Sequence, residues 1–326
     1  MVAELRARGW EVTVHALDAS FPDPTPAALA DADRVLAGIP SQTLVLVDGL
    51  ALSAMPSVLR AHAARLILLA LIHMPLAADA ALEDDPDLVR RVRQAEADAL
   101  QTARHVFATG EGSRAALLAY GLPAEQISII EPGTDEAPLA RRPPDGMVKM
   151  LCVATVQPVK GHDLLVEALA PLASWPWQLT CVGSLTRRPD TVARLRAQLI
   201  QRGLSERVAL IGEVEPAVLA RYFLEADLIV LATRFESYCM AVAEGLAHGL
   251  PIVSTRTGAI PDLVGTQAGL LVAPGDLEAL RAALAAVLSE TGLLASLASG
   301  AAVARHRLPR WTDAGARLAQ ALARLA

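Results

Sequence analysis

Short, continuous apolar runs alternate with helix-like stretches along nearly the whole chain, and this rhythm limits the fold more than any other feature. The runs are Val12–Ala16, Thr43–Val47, Leu66–Ile72, His105–Ala108 and Ile127–Ile130, then Lys149–Thr155, Gln178–Val182, Val208–Ile211, Leu228–Leu231, Ile252–Ser254 and Gly269–Val272. Most are apolar throughout rather than at every second residue, the mark of parallel strands covered on both faces. Strands that alternate with helices build right-handed βαβ units and open sheets. The expected class is therefore α/β. An α/β half usually opens on a strand, yet here a helix, Val2–Arg8, comes first. The first half is expected to lack its opening strand and the glycine-rich turn after it.

At 326 residues the chain predicts two domains. Between Glu131 and Gly146 the sequence becomes rich in proline, glycine and charge, as a linker does. The expected division is a Rossmann-like first domain over 1–135, a linker over 136–147, a Rossmann-like second domain over 148–304, and a helix over 305–326 that packs back on the first. A crevice between two such domains, at the carboxyl ends of the strands, is the expected ligand site.

Hydrophobic residues make up 53% of the chain, largely alanine and leucine in short runs. The strongest, Leu66–Ile72, is too short to span a bilayer and stops at His73. The opening helix carries charges of both signs and has no secretory core, so a cytoplasmic protein without a transmembrane segment is expected. Peripheral membrane contact through a helix face is compatible with that. A net charge of −6 and the lack of lysine/arginine blocks among aromatics argue against nucleic acid as a partner. Cys152, Cys181 and Cys239 read as buried reduced thiols, and no cysteine–histidine spacing has a metal-ligand pattern. Asp31-Ala32-Asp33 mimics a metal-binding Asp-x-Asp but falls in an alanine-rich helical stretch and reads as a solvated face.

The chemistry concentrates between Thr233 and Glu244, in Thr-Arg-Phe-Glu-Ser-Tyr-Cys-Met-Ala-Val-Ala-Glu. An apolar run precedes it, and Gly249-Leu250-Pro251 and another apolar run follow. The pattern is strand, acidic loop, helix, turn, strand. It puts Glu236 at a helix mouth and Glu244 within the helix. Between them lie backbone N–H groups and the positive end of the helix dipole, which suit a phosphate. Carboxylates beside a phosphate site accept hydrogen bonds from sugar hydroxyls, so the pattern spells a nucleotide-sugar.

The stretch from Glu236 to Val264 resembles the donor-binding signature of retaining glycosyltransferases with the GT-B fold, the large family four (glycosyl transferases group 1). Val156-Gln157-Pro158-Val159-Lys160-Gly161-His162-Asp163, Val208–Gly212 and Pro132-Gly133-Thr134-Asp135 extend the resemblance. It implies two Rossmann-like domains whose parallel sheets face a cleft. It also implies that Glu236 orients the hydroxyls of the transferred sugar, that Glu244 accepts from the ribose, and that the amides of Tyr238, Cys239 and Met240 hold the diphosphate. Lys160 reaches that diphosphate as a point charge. The family normally pairs this lysine with an arginine five residues earlier; here the position is Thr155, which cannot balance charge, and Arg187 and Arg188 are candidate substitutes whose plainer reading is a solvated loop pair. His73 resembles the histidine that faces the sugar, and base contacts fall near Gly212 and Val214. Helix-cap or exposed-helix roles are the plainer readings of Glu236, Glu244 and Asp262, and His162 and His248 read as helix-end residues.

The implied reaction moves a hexose from a UDP- or GDP-type donor to a hydroxyl of a saccharide, lipid or small molecule, with retained configuration. It needs no cofactor and no metal, since the helix N-terminus and Lys160 take a cation's place. Thr155 and the missing strand motivate a second reading, a degenerate GT-B binding module or partner subunit without turnover. A phosphorylase or epimerase on the same fold is a third.

Overall fold

The computed structural model describes residues 1–81, 85–140, 146–290 and 292–326. Within the expected linker, residues 141–145 lie outside the described residues. The chain forms two compact units, Met1–Gly133 with Pro309–Ala326, and Thr134–Leu308.

The first unit holds a parallel sheet of β1 (Leu44–Asp48), β2 (Ile67–Ile72), β3 (His105–Ala108) and β4 (Ile127–Ile129), in that order. Strand β2 shows why its apolar run is continuous. Leu68, Ala70 and Ile72 join one buried cluster with Leu52, Leu59, Leu100 and Leu117. Leu69 and Leu71 join a second with Leu5, Phe107, Leu318 and Leu322. Side chains alternate across a strand, so a sheet covered on both faces needs apolar residues at every position. The second cluster includes the helix Trp311–Ala323, which belongs to this unit.

Val12–Ala16 is not a strand: the segment joins neither sheet, and Val14 is 64% exposed. Val-Thr-Val has the composition of a strand, but strand preference expresses packing against neighbours, and only Val12 here meets an apolar cluster.

The second unit holds six parallel strands: β5 (Val148–Val153), β6 (Trp177–Val182), β7 (Val208–Gly212), β8 (Leu228–Val230), β9 (Ile252–Thr255) and β10 (Gly269–Val272). Their order is β7-β6-β5-β8-β9-β10. The chain builds outward from β5 to β7, returns to place β8 beside β5, and builds outward the other way. At that reversal the connections leaving β5 and β8 diverge to opposite sides and leave a crevice at the carboxyl ends of the strands. The core of this unit centres on the buried side chains of Met150, Leu151, Trp177, Leu228, Ile229 and Ile252.

Among the described residues, no single helix is long and apolar enough to cross a membrane.

Candidate functional site

The reversal between β5 and β8 is where the second unit gathers its charge. After β5 the chain passes Thr155, makes a short 3-10 turn over Pro158–Lys160, and enters the helix His162–Leu169 through Gly161. Gly161 has φ +66°, and a Cβ there would come within 2.0 Å of the Ala232 carbonyl oxygen. Only glycine lets the turn lie so close to the chain leaving β8. That chain is fixed to the same turn. The Thr233 hydroxyl donates to the Val159 carbonyl at 3.1 Å, and the Arg234 amide donates to it at 2.7 Å. The Arg234 guanidinium forks onto the Asp163 carboxylate at 3.0 and 2.7 Å.

These contacts bring Lys160 and Glu236 together across the reversal. Lys160 Nζ lies 2.7 Å from Glu236 Oε1, with the two side chains 18% and 9% exposed. Burial by itself would lower the Lys160 pKa; the Glu236 carboxylate outweighs it and holds the ammonium above its usual range. Glu236 is fixed from below as well. Its amide donates to the Thr257 hydroxyl at 3.2 Å. Gly258, at φ +55°, packs so that a Cβ would stand 2.3 Å from the Glu236 carbonyl oxygen.

Beyond Glu236 the chain reaches the helix Met240–Ala247 through Cys239, a non-glycine residue at φ +75°. This turn aims the start of the helix, where the first amides have no carbonyl one turn back to bond. Cys239 gives no side-chain cap. The segment 239–241 therefore presents donors and the positive helix end near the Lys160 ammonium. Glu244 sits one turn into the same helix and is half-buried. Burial, with Asp135 adding repulsion, pushes its carboxyl above the ordinary value. Thr155 follows β5, Gly212 ends β7 and Val214 follows it, all half-buried at the carboxyl edge of the sheet.

His73 belongs to the first unit. It follows β2, with Nε2 3.1 Å from Asp48 Oδ2 at the end of β1, and both side chains are about half exposed. This hydrogen bond holds the Asp48 carboxyl below its usual range. Asp48 has no motif; its signal in the sequence is its place directly after an apolar run and before a glycine. Thr233, Asp163 and Thr257 lie inside the motif stretches, but their roles are not legible there, because they arise from contacts between loops far apart in sequence. Arg187 is exposed, and Arg188 precedes the helix Pro189–Gln201. Asp33 of the Asp-x-Asp pair meets His62 at 2.8 Å, and Asp31 meets Arg34. His248 is buried, with Nδ1 2.8 Å from the Pro138 carbonyl and its ring stacked on Phe223.

Residues 148–290 match the model of the family described as glycosyl transferases group 1. A D-inositol 3-phosphate glycosyltransferase from Jonesia denitrificans is 28% identical over 239 residues, covering 67% of this chain and 56% of that protein. Its counterpart from Xylanimonas cellulosilytica is 31% identical over 229 residues, covering 65% of this chain and 54% of the relative. The chain thus spans about half the length of the curated relatives it matches. Among solved structures, a sucrose-phosphate synthase from Thermosynechococcus elongatus superposes with a TM-score of 0.79 at 21% identity, covering 99% of this chain and 90% of that one. HepE from Anabaena, in complex with UDP and glucose, superposes with a TM-score of 0.72 at 20% identity, covering 91% and 81%. The fold is that of the GT-B glycosyltransferases, with two Rossmann-like units, each built on a parallel sheet. The match to the group 1 family model falls within the second unit.

Proposed function

We propose that the protein transfers a hexose from a nucleotide diphosphate sugar to a hydroxyl acceptor with retained anomeric configuration. The observation that carries this reading is the Lys160–Glu236 pair at the strand reversal of the second unit, beside the start of the helix that carries Glu244. The names of the sequence relatives and the UDP and glucose bound to HepE support a nucleotide-sugar donor.

Each group then has a task. The amides of Tyr238, Cys239 and Met240 receive the diphosphate, and Lys160 balances its charge as the bond to the sugar breaks. Glu236 already uses one oxygen on Lys160, and its carboxylate accepts from the sugar hydroxyls. Holding that carboxylate against Lys160 before the donor arrives means little reorganisation is needed during the reaction. Glu244 accepts from the ribose hydroxyls, and Thr155, Gly212 and Val214 line the nucleotide. His73, steadied by Asp48, is assigned as a donor to a substrate hydroxyl. The leaving phosphate takes the acceptor proton on the face it departs from, which accounts for retention without a carboxylate nucleophile. Because the helix end and Lys160 supply the positive charge, turnover is expected in magnesium-free buffer.

The test is product formation from a panel of UDP- and GDP-hexoses with simple glycosides, lipids and polyols as acceptors, with the anomeric configuration read by NMR. Transfer from one donor, lost in E236A while the circular dichroism spectrum is unchanged, is the expected result. Full activity in E236A refutes the assignment. Nucleotide binding without turnover or hydrolysis of any donor establishes the binding-module reading instead.

A further inference from the structure

Among the described residues, the second unit contains a further cluster of reactive side chains apart from the proposed donor site. Cys152 on β5 and Cys181 on β6 are directly paired in the parallel register, so both thiols project from the same face of the sheet. His162 opens the helix that follows Gly161, and the left-handed turn there sets its imidazole over that face. The three residues are 1%, 3% and 4% exposed. Their ligand atoms all lie within 4.8 Å of one another.

We propose that Cys152, Cys181 and His162 form a buried site for a divalent zinc ion. Three features support it. The first is spacing: a tetrahedral centre with Zn–S of about 2.3 Å and Zn–N of about 2.0 Å places sulfur and nitrogen ~3.6 Å apart. Cys152 Sγ and His162 Nε2 stand 3.7 Å apart. The second is ligand type: two sulfurs and an imidazole select zinc over magnesium or calcium, which take oxygen ligands. The third is charge: two thiolates, a neutral imidazole and Zn²⁺ sum to zero, which the low-dielectric interior tolerates where a lone ion would not be. Binding releases the two thiol protons to solvent, and each sulfur uses its electron pair for the bond to zinc, so nothing is oxidised or reduced. The other ring nitrogen, His162 Nδ1, is buried without a hydrogen-bond partner, and Nε2 is the ring atom that faces Cys152.

The site would tie β5, β6 and the start of the helix into one unit, two residues downstream of Lys160. It is independent of the transfer reading: the ion would sit within the core and touch no substrate. The sequence conceals it because the ligands, at 152, 162 and 181, lack the paired close spacings of known zinc motifs. Only the strand register joins them.

The experiment is metal analysis of the full chain, purified under reducing conditions and dialysed against Zn²⁺. It is paired with Co²⁺ reconstitution read by the thiolate-to-cobalt charge-transfer absorption. The expected result is one equivalent of zinc in the wild type and in C239S, and none in C152S/C181S. Zinc should also protect Cys152 and Cys181 from alkylation at least ~10-fold in rate. No zinc uptake and no charge-transfer band in the wild type would overturn the proposal. So would a C239S variant that loses zinc while C152S/C181S keeps it. If the double variant does not fold, the wild-type cobalt spectrum and the alkylation rates decide the question.

Discussion

The two units each place a basic and an acidic side chain at the carboxyl edge of a parallel sheet, yet the two pairs differ in kind. In the second unit Lys160 and Glu236 meet at 2.7 Å and are mostly buried. In the first, His73 and Asp48 meet at 3.1 Å with both side chains about half exposed. Water and salt screen the exposed pair, so its members are easily turned to other partners. The buried pair is fixed before any ligand arrives. In the proposed division of labour the second unit holds one invariant anion with a fixed pair, and the first keeps a pair that can change partners.

The comparison is broken most easily at Glu236. E236A should lower kcat about 1,000-fold, or ~4 kcal/mol of lost transition-state stabilisation, measured by initial rates. If H73A costs more than E236A, the roles of the two edges are reversed. K160M removes one charge-assisted contact, worth roughly 1.5–3 kcal/mol. Donor KM should therefore rise about 10- to 150-fold, and the salt dependence of KM should weaken.

G258A tests the support beneath Glu236. A Cβ would meet the Glu236 and Ser237 carbonyl oxygens at 2.3 and 2.6 Å from a backbone at φ +55°. A loss of about 2 kcal/mol or more in chemical unfolding is expected, with activity falling alongside it.

Glu244 sharpens the comparison through pH. Its folded pKa lies above the ordinary 4.5, so between the two values the folded state binds more protons than the unfolded chain. Its contribution therefore favours folding less as pH rises through that window, and the penalty is complete above the folded pKa. E244Q should raise Tm at neutral pH while weakening nucleotide binding. The gain should fade as pH falls to the ordinary carboxylate range. The smallest effect belongs to the exposed pair: D48N should change stability by less than about 1 kcal/mol, with its consequence confined to the pH profile of turnover.

What could be read from the sequence follows from how local each feature is. Ten apolar runs became strands; in inner strands such as β2 and β8 burial on both faces leaves a mark along the whole run. Val12–Ala16 failed because its composition gives propensity without a covering face, and coverage is a property of the whole unit. The Glu236–Glu244 spacing was legible because strand, loop and helix are contiguous there. The partner of Glu236 was not legible as a contact: Lys160 is 76 positions away, and only the order β5-β8 makes them neighbours. The Arg234–Asp163 fork, the Asp48–His73 bond and the Cys152–His162–Cys181 cluster were hidden for the same reason.

The strand reversal of the second unit is proposed as an anion site for a nucleoside diphosphate. Isothermal titration of the wild-type chain with UDP, GDP and the matching nucleosides tests it most directly. One equivalent of UDP or GDP is expected to bind, with at least ~10-fold weaker binding of the nucleoside that lacks the diphosphate, from the loss of one charge-assisted contact. Absence of binding to either diphosphate, or equal affinity for diphosphate and nucleoside, would contradict it.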